Sequence, residues 1–180
     1  MGTSAIVATV GGASSNSFCT LAEADQYQDD RYPNGTTWSG ETDANKNRAL
    51  LFATTLLESC VIWTGFVKTD TQALLWPRYG MTKRNDYPLD DDVVPQELKN
   101  CQAEFARALL ENVSRTEDSD IESQGITSIT AGPVSLTFSE DQAMKILPDL
   151  CYLYLPGGPD GWVESIRGRV SATRVLVRGY

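Results

Sequence analysis

The sequence predicts a mainly α fold: a small helical bundle with one β-hairpin and an extended C-terminal arm. Three observations predict it. Two long stretches carry apolar residues at helical spacing, one stretch switches to alternation by two, and the last fifteen residues are basic while the rest is acidic. The 180 residues suit one domain with arms. We divide them into an N-terminal arm (1–15), a helical domain (16–160) with a hairpin near 126–138, and a basic C-terminal arm (161–180).

Each element has its own local signal. Met1 to Ser15 is small and rich in Gly and Ser, which suits a flexible arm. Thr20-Leu21-Ala22-Glu23 is a capping-box pattern, so a helix is predicted over about Leu21–Asp30. Tyr32-Pro33-Asn34-Gly35 is loop chemistry. A second helix is predicted over about Asp43–Val61, where Ala49, Leu50, Ala53, Leu56, Leu57 and Cys60 form one apolar face. Trp63-Thr64-Gly65 ends it, and a long loop comes next. Pro95 suits the first position of a third helix, ending near Val113. Asp90-Asp91-Asp92 ahead of it favours that start, because acids oppose the positive pole of a helix N-terminus. Leu98, Cys101, Phe105, Ala108 and Leu109 make its stripe. Ser114–Ser123 reads as a polar linker. Val134, Leu136 and Phe138 then alternate, and with Ile126–Thr130 they predict a hairpin. Pro148 opens a last short helix to about Tyr154, stopped by the Pro/Gly cluster after it.

Chemistry is scarce. The chain has no His, which excludes Ser-His and Cys-His catalytic pairs and the commonest transition-metal ligand. No Gly-rich phosphate loop and no nucleophile elbow occurs. We expect no enzyme activity, no catalytic residues, no metal and no cofactor. Asp90-Asp91-Asp92 offers oxygens to a hard cation but lacks the alternation of a calcium loop, so a solvated loop is the favoured reading. Cys19, Cys60, Cys101 and Cys151 are far apart and read as buried small hydrophobes, in keeping with a reducing compartment. No apolar run approaches the length that spans a bilayer, so no membrane partner is expected. Met1–Gly12 has no basic start and does not read as a secretory signal.

Net charge is −9, and Ile166–Tyr180 holds Arg167, Arg169, Arg174 and Arg178 with no acid. Removing that +4 leaves −13 on the first 165 residues. A solvated tail, a phosphate-binding tail and a strand donated to another protein are the three readings. The apolar centre Val175-Leu176-Val177 favours the third, with the arginines and Tyr180 as partner-binding residues. Leu74, Trp76, Pro77 and Arg78 form a compact structural motif. Pro77 restricts Trp76 toward an extended backbone, so indole and guanidinium leave the apolar pair Leu74-Leu75 in fixed directions. The motif's expected role is architectural: Trp76 plugs the bundle, and Arg78 pairs with an acid of its own or a neighbouring subunit. Trp38, Trp63 and Trp76 are of a kind that stacks single-stranded bases, but stacking platforms sit in basic grooves and this body is acidic; core packing is the favoured reading for Trp38 and Trp63.

Asn16-Ser17-Phe18, Leu21-Ala22-Glu23-Ala24-Asp25 and Tyr27, then Trp38, Lys46, Ala49-Leu50, Ala53-Thr54, Trp63-Thr64-Gly65, Gln72 to Arg78 and Pro95 stand in an order that resembles a tailed-phage family. Its members are head–tail connector (adaptor) proteins, often labelled DnaT-like single-stranded DNA-binding proteins. The likeness is good over about Asn16–Val113, extends to the hairpin, and is loose after Gly161. It implies a helical bundle assembled with copies of itself into a ring of about twelve subunits in the virion neck. Such a ring docks on the portal protein, accepts the next tail or neck component, and lets double-stranded DNA pass. The subunits would be made in the host cytoplasm. The alternative is a single-stranded DNA-binding protein of phage replication.

Overall fold

A computed structural model describes residues 5–31, 36–83, 87–111, 128–131, 134–137, 147–155 and 161–166. The elements are α1 (Leu21–Asp30), α2 (Thr36–Gly40), α3 (Asp43–Cys60), β1 (Val61–Trp63), β2 (Phe66–Val67), β3 (Arg78–Tyr79), α4 (Gln96–Glu111), β4 (Ser128–Ala131), β5 (Val134–Thr137), α5 (Cys151–Tyr154) and β6 (Val163–Ile166). The mainly α expectation holds. The strands form three antiparallel pairs: β1 with β6, β2 with β3, and β4 with β5.

Helix α1 starts where the capping box places it. Thr20 Oγ1 accepts from Glu23 N–H at 3.2 Å, and Glu23 Oε2 accepts from Thr20 N–H at 2.7 Å. Helix α3 is capped by Thr42, and its buried residues include Ala49, Leu50, Ala53, Leu57 and Cys60, the predicted face. Helix α4 begins directly after Pro95, whose carbonyl accepts from Leu98 and Lys99.

Helix α4 differs from its prediction in one respect. Beside Leu98, Cys101, Phe105, Ala108 and Leu109, it also buries Gln102, Ala103, Glu104 and Ala106. It is a central helix, touched by α1, α2, α3 and α5 rather than along one stripe. Side chains with almost no exposure, such as Leu50, Leu57, Leu98 and Phe105, each contribute about 1.5–3 kcal/mol by leaving water. The four cysteines are free thiols and all are buried, as expected of small hydrophobes. Burial pushes the Cys19 thiol up to about 12.

Two polar clusters tie this core together. Gln102, fully buried, donates through Nε2 to Ser17 Oγ (2.7 Å), Thr54 Oγ1 (2.9 Å) and the Leu50 carbonyl (3.1 Å). Its Oε1 accepts from the backbone N–H groups of Phe18 and Cys19, each at 3.0 Å. One amide thus satisfies the chain entering α1, α3 and α4 at once. Glu104, also fully buried, receives Arg31 Nε at 2.9 Å, Arg107, and the Tyr27 hydroxyl at 3.3 Å. Tyr27 shares a hydrogen bond with the Tyr154 hydroxyl at 2.8 Å, which brings in α5.

Both arm boundaries move. Residues 5–15 turn against the body: Val7 N–H donates to Asn16 Oδ1 (2.7 Å), Ala73 N–H donates to the Gly12 carbonyl (3.1 Å), and Ile6 packs on the core. At the other end, Trp162 is buried and β6 pairs with β1, so 161–166 belong to the body. The predicted loop after Trp63 is also partly ordered as the β2–β3 pair, and Val61–Trp63 is a strand rather than a helix end. Val61 and Ile62 are β-branched and stiff, which suits extended backbone once a partner strand is present. The hairpin appears as Ser128–Ala131 paired with Val134–Thr137, inside the predicted 126–138. The linker over 114–123 lies outside the described residues.

Candidate functional site

The predicted motif is the best-defined constellation in the molecule, and it meets Trp63-Thr64-Gly65. Trp76 is 1% exposed. Its ring stands edge-on to Trp63 (centroids 5.5 Å apart, 87° between planes) and to Trp162 (5.8 Å, 63°). Such edge-to-face pairs add about 0.5–1.5 kcal/mol each beyond burial. Leu74 is half-buried against the same core. The Trp76–Pro77 peptide is cis. The Pro77 carbonyl accepts from Lys68 N–H (3.2 Å) and Gln72 Nε2 (3.1 Å).

Arg78 is buried, and backbone carbonyls hold it. Its Nε donates to Thr64 O (2.8 Å), Nη1 to Leu75 O (3.2 Å), and Nη2 to Gly65 O (2.8 Å) and Trp63 O (3.5 Å). Carbonyl oxygens thus take the place of the expected acid, because the fork of guanidinium donors matches the turned chain at Trp63–Gly65. Burial lowers the proton affinity of Arg78, and the charge of Glu58 partly restores it.

Beside Arg78 opens a cleft of about 500 Å³, lined by Glu58, Ser59, Val61, Ile62, Trp63, Val67, Leu75 and Arg78. Both Glu58 carboxylate oxygens accept from the single Leu75 N–H, at 3.0 and 3.1 Å. Burial raises the Glu58 carboxyl to about 7, against the lowering effects of that hydrogen bond and of Arg78. Around the corner, the β2–β3 pair presents Phe66 and Tyr79, stacked at 5.4 Å and largely exposed.

The other candidates lie elsewhere. Trp38 is in the core, as expected; its Nε1 donates to Asp25 at 2.8 Å, and Lys46 both bonds Asp25 and covers the Trp38 ring. Asp90, Asp91 and Asp92 are close enough for a cation, yet Lys68 bonds Asp91 and Asp92, and Asp92 N–H donates to Asp90 Oδ1. Arg167, Arg169, Arg174, Val175, Leu176, Val177, Arg178 and Tyr180 lie outside the described residues. Among the described residues, no helix is long and apolar enough to cross a membrane. Sequence reasoning missed Glu58, Gln102 and Trp162. A polar residue inside an apolar helical face was the available signal for Gln102; Glu58 and Trp162 acquire their partners only through the tertiary fold.

No curated protein and no solved structure matches the chain. The family described as "Putative DnaT-like ssDNA binding protein" matches residues 5–157. That span contains the helical core, the Trp63–Gly65 turn and the Trp76–Arg78 motif, and by it the chain belongs to this DnaT-like family.

Proposed function

We propose that this protein is a structural subunit of a phage head–tail connector ring, which docks on the portal, joins capsid to tail and lets DNA pass without chemistry on it. The observation that carries this reading is the use of the aromatic groups. Trp38, Trp63, Trp76 and Trp162 are all buried in an acidic body, so none offers a face to a base. A negatively charged wall repels a sliding polyanion rather than gripping it. The order and spacing of the residues that resemble the connector family support the same reading. In the virion neck, the subunit would contact copies of itself, the portal and the next neck component, with its basic tail among the contact segments.

Single-stranded DNA binding is the second reading, and the family match by itself favours it over the first. The stacked, exposed Phe66–Tyr79 pair is the described surface that suits it, since base stacking on aromatic rings tolerates any sequence. Oligonucleotide titration over a salt series, run beside electron microscopy of the protein mixed with its portal, separates the two. The connector reading expects cyclic particles on the portal and negligible oligonucleotide affinity even at low salt. Tight binding that falls steeply with salt, without ring particles, would overturn it and establish the second reading.

A further inference from the structure

Cys101 and Cys151 meet where α5 packs on α4. They stand 50 residues apart in the chain, and each is 0% exposed. The Cys151 thiol donates to the Cys101 carbonyl at 3.5 Å. That contact brings the Cys151 sulfur to the backbone of Cys101, the proximity that a disulfide needs. Burial, and after it a hydrogen bond with the Cys151 thiol, holds the Cys101 thiol well above its ordinary pKa. Cys101 therefore rests as a protonated thiol, with a second thiol beside it.

The two helices differ in how firmly they are held. Helix α4 has sixteen residues and is enclosed by α1, α2, α3 and α5. Helix α5 has four residues, and its N-cap Leu150 makes no side-chain cap bond. A small movement of this single turn brings sulfur to sulfur without disturbing α4. Local opening of the same turn uncovers Cys151 before Cys101.

We propose that Cys101 and Cys151 form a reversible redox lock, a disulfide that fixes α5 on α4, with a small-molecule disulfide as the oxidant. The Cys151 thiolate attacks one sulfur of the oxidant, forms a mixed disulfide and releases one small thiol. The Cys101 thiolate then attacks the Cys151 sulfur, closes the protein disulfide and releases the second small thiol. The protein loses two electrons, the oxidant gains them, and the two cysteine protons end on the released thiols. The lock also secures Tyr154, whose hydroxyl bonds Tyr27 beside the buried Arg31–Glu104 pair. It is independent of either reading of function.

The test refolds the full chain, denatured and reduced, in a mixture of reduced and oxidised glutathione. Remaining thiols are trapped by alkylation, and peptides are mapped without reduction. Starting from the unfolded chain removes any limit set by burial of the thiols. The expected product joins the Cys101 and Cys151 peptides and leaves Cys19 and Cys60 alkylated. Because the bridge spans 50 residues, the linked form should melt about 10 °C above the reduced form, and dithiothreitol should remove the difference. Cys151→Ala should give no linked product and no redox-dependent melting. Four alkylated thiols, or a dominant bridge that includes Cys19 or Cys60, would overturn the proposal. So would a linked form that melts at or below the reduced one, because the bond would then strain the α4–α5 packing instead of fixing it.

Discussion

Trp76 stands edge-on to Trp63 at 5.5 Å, and the carbonyl of Trp63 is also among the acceptors of Arg78. Two motifs separated by a dozen residues are thus one structural unit, joined through a ring pair and a guanidinium. Trp76→Ala should remove about 3–5 kcal/mol of stability by opening a cavity among Trp63, Trp162 and the α3 end. Trp76→Phe should cost much less, because among the described residues the Trp76 Nε1 has no hydrogen-bond partner to lose. Urea unfolding of the two variants checks the order; equal losses would show that the indole N–H matters.

Gly65 sits inside the same unit with φ +63°. A Cβ there would lie 2.6 Å from the Tyr79 carbonyl and 2.7 Å from Met81 Cγ. Gly65→Ala should therefore destabilise by about 1–3 kcal/mol through backbone strain and a clash that a backbone oxygen cannot evade. The expected readout is a lower melting temperature. No change in melting would mean that the turn is not held this tightly.

Gln102→Ala should cost about 3–5 kcal/mol, since it leaves the N–H groups of Phe18 and Cys19 without their acceptor and adds a cavity. Gln102→Glu should be comparably harmful: a carboxylate cannot donate to Ser17, Thr54 or Leu50. Denaturant midpoints for both variants measure this. Hydrogen exchange at Phe18 and Cys19 should accelerate in Gln102→Ala, and unchanged protection there would refute the assignment.

Glu104→Ala should cost about 3–5 kcal/mol, because Arg31 and Arg107 lose a shared, fully buried partner. The loss should change little between low and moderate salt, as the cluster is shielded from solvent ions. A loss that vanished in salt would mark the pair as a surface interaction. Unfolding curves at two ionic strengths decide it.

Much of this fold was legible in the sequence. Local signals placed α1, α3 and α4 well: the Thr20–Glu23 box, the apolar face through Leu50 and Leu57, and Pro95 before Gln96. The hairpin β4–β5 was legible from its alternation, but the strands β1 and β6 were not. Val61–Trp63 is too brief to show a period, and its partner Val163–Ile166 lies about a hundred residues away. Strand pairing at that distance leaves no local mark. The same reason hid Trp162, whose packing on Trp76 made an expected arm part of the body.

By itself, the sequence determined α1, α3 and α4, the absence of His chemistry, the acidic body with its basic end, and the importance of Leu74 to Arg78; the short helix α2 was not predicted. Those features depend on neighbours a few residues apart or on composition. The tertiary structure alone decided what the motif holds. Arg78 meets the carbonyls of the Trp63–Gly65 turn, rather than an acid, because the β2–β3 pairing brings that turn to it. Backbone oxygens carry no side-chain signature, so only the folded chain could show them as the partners.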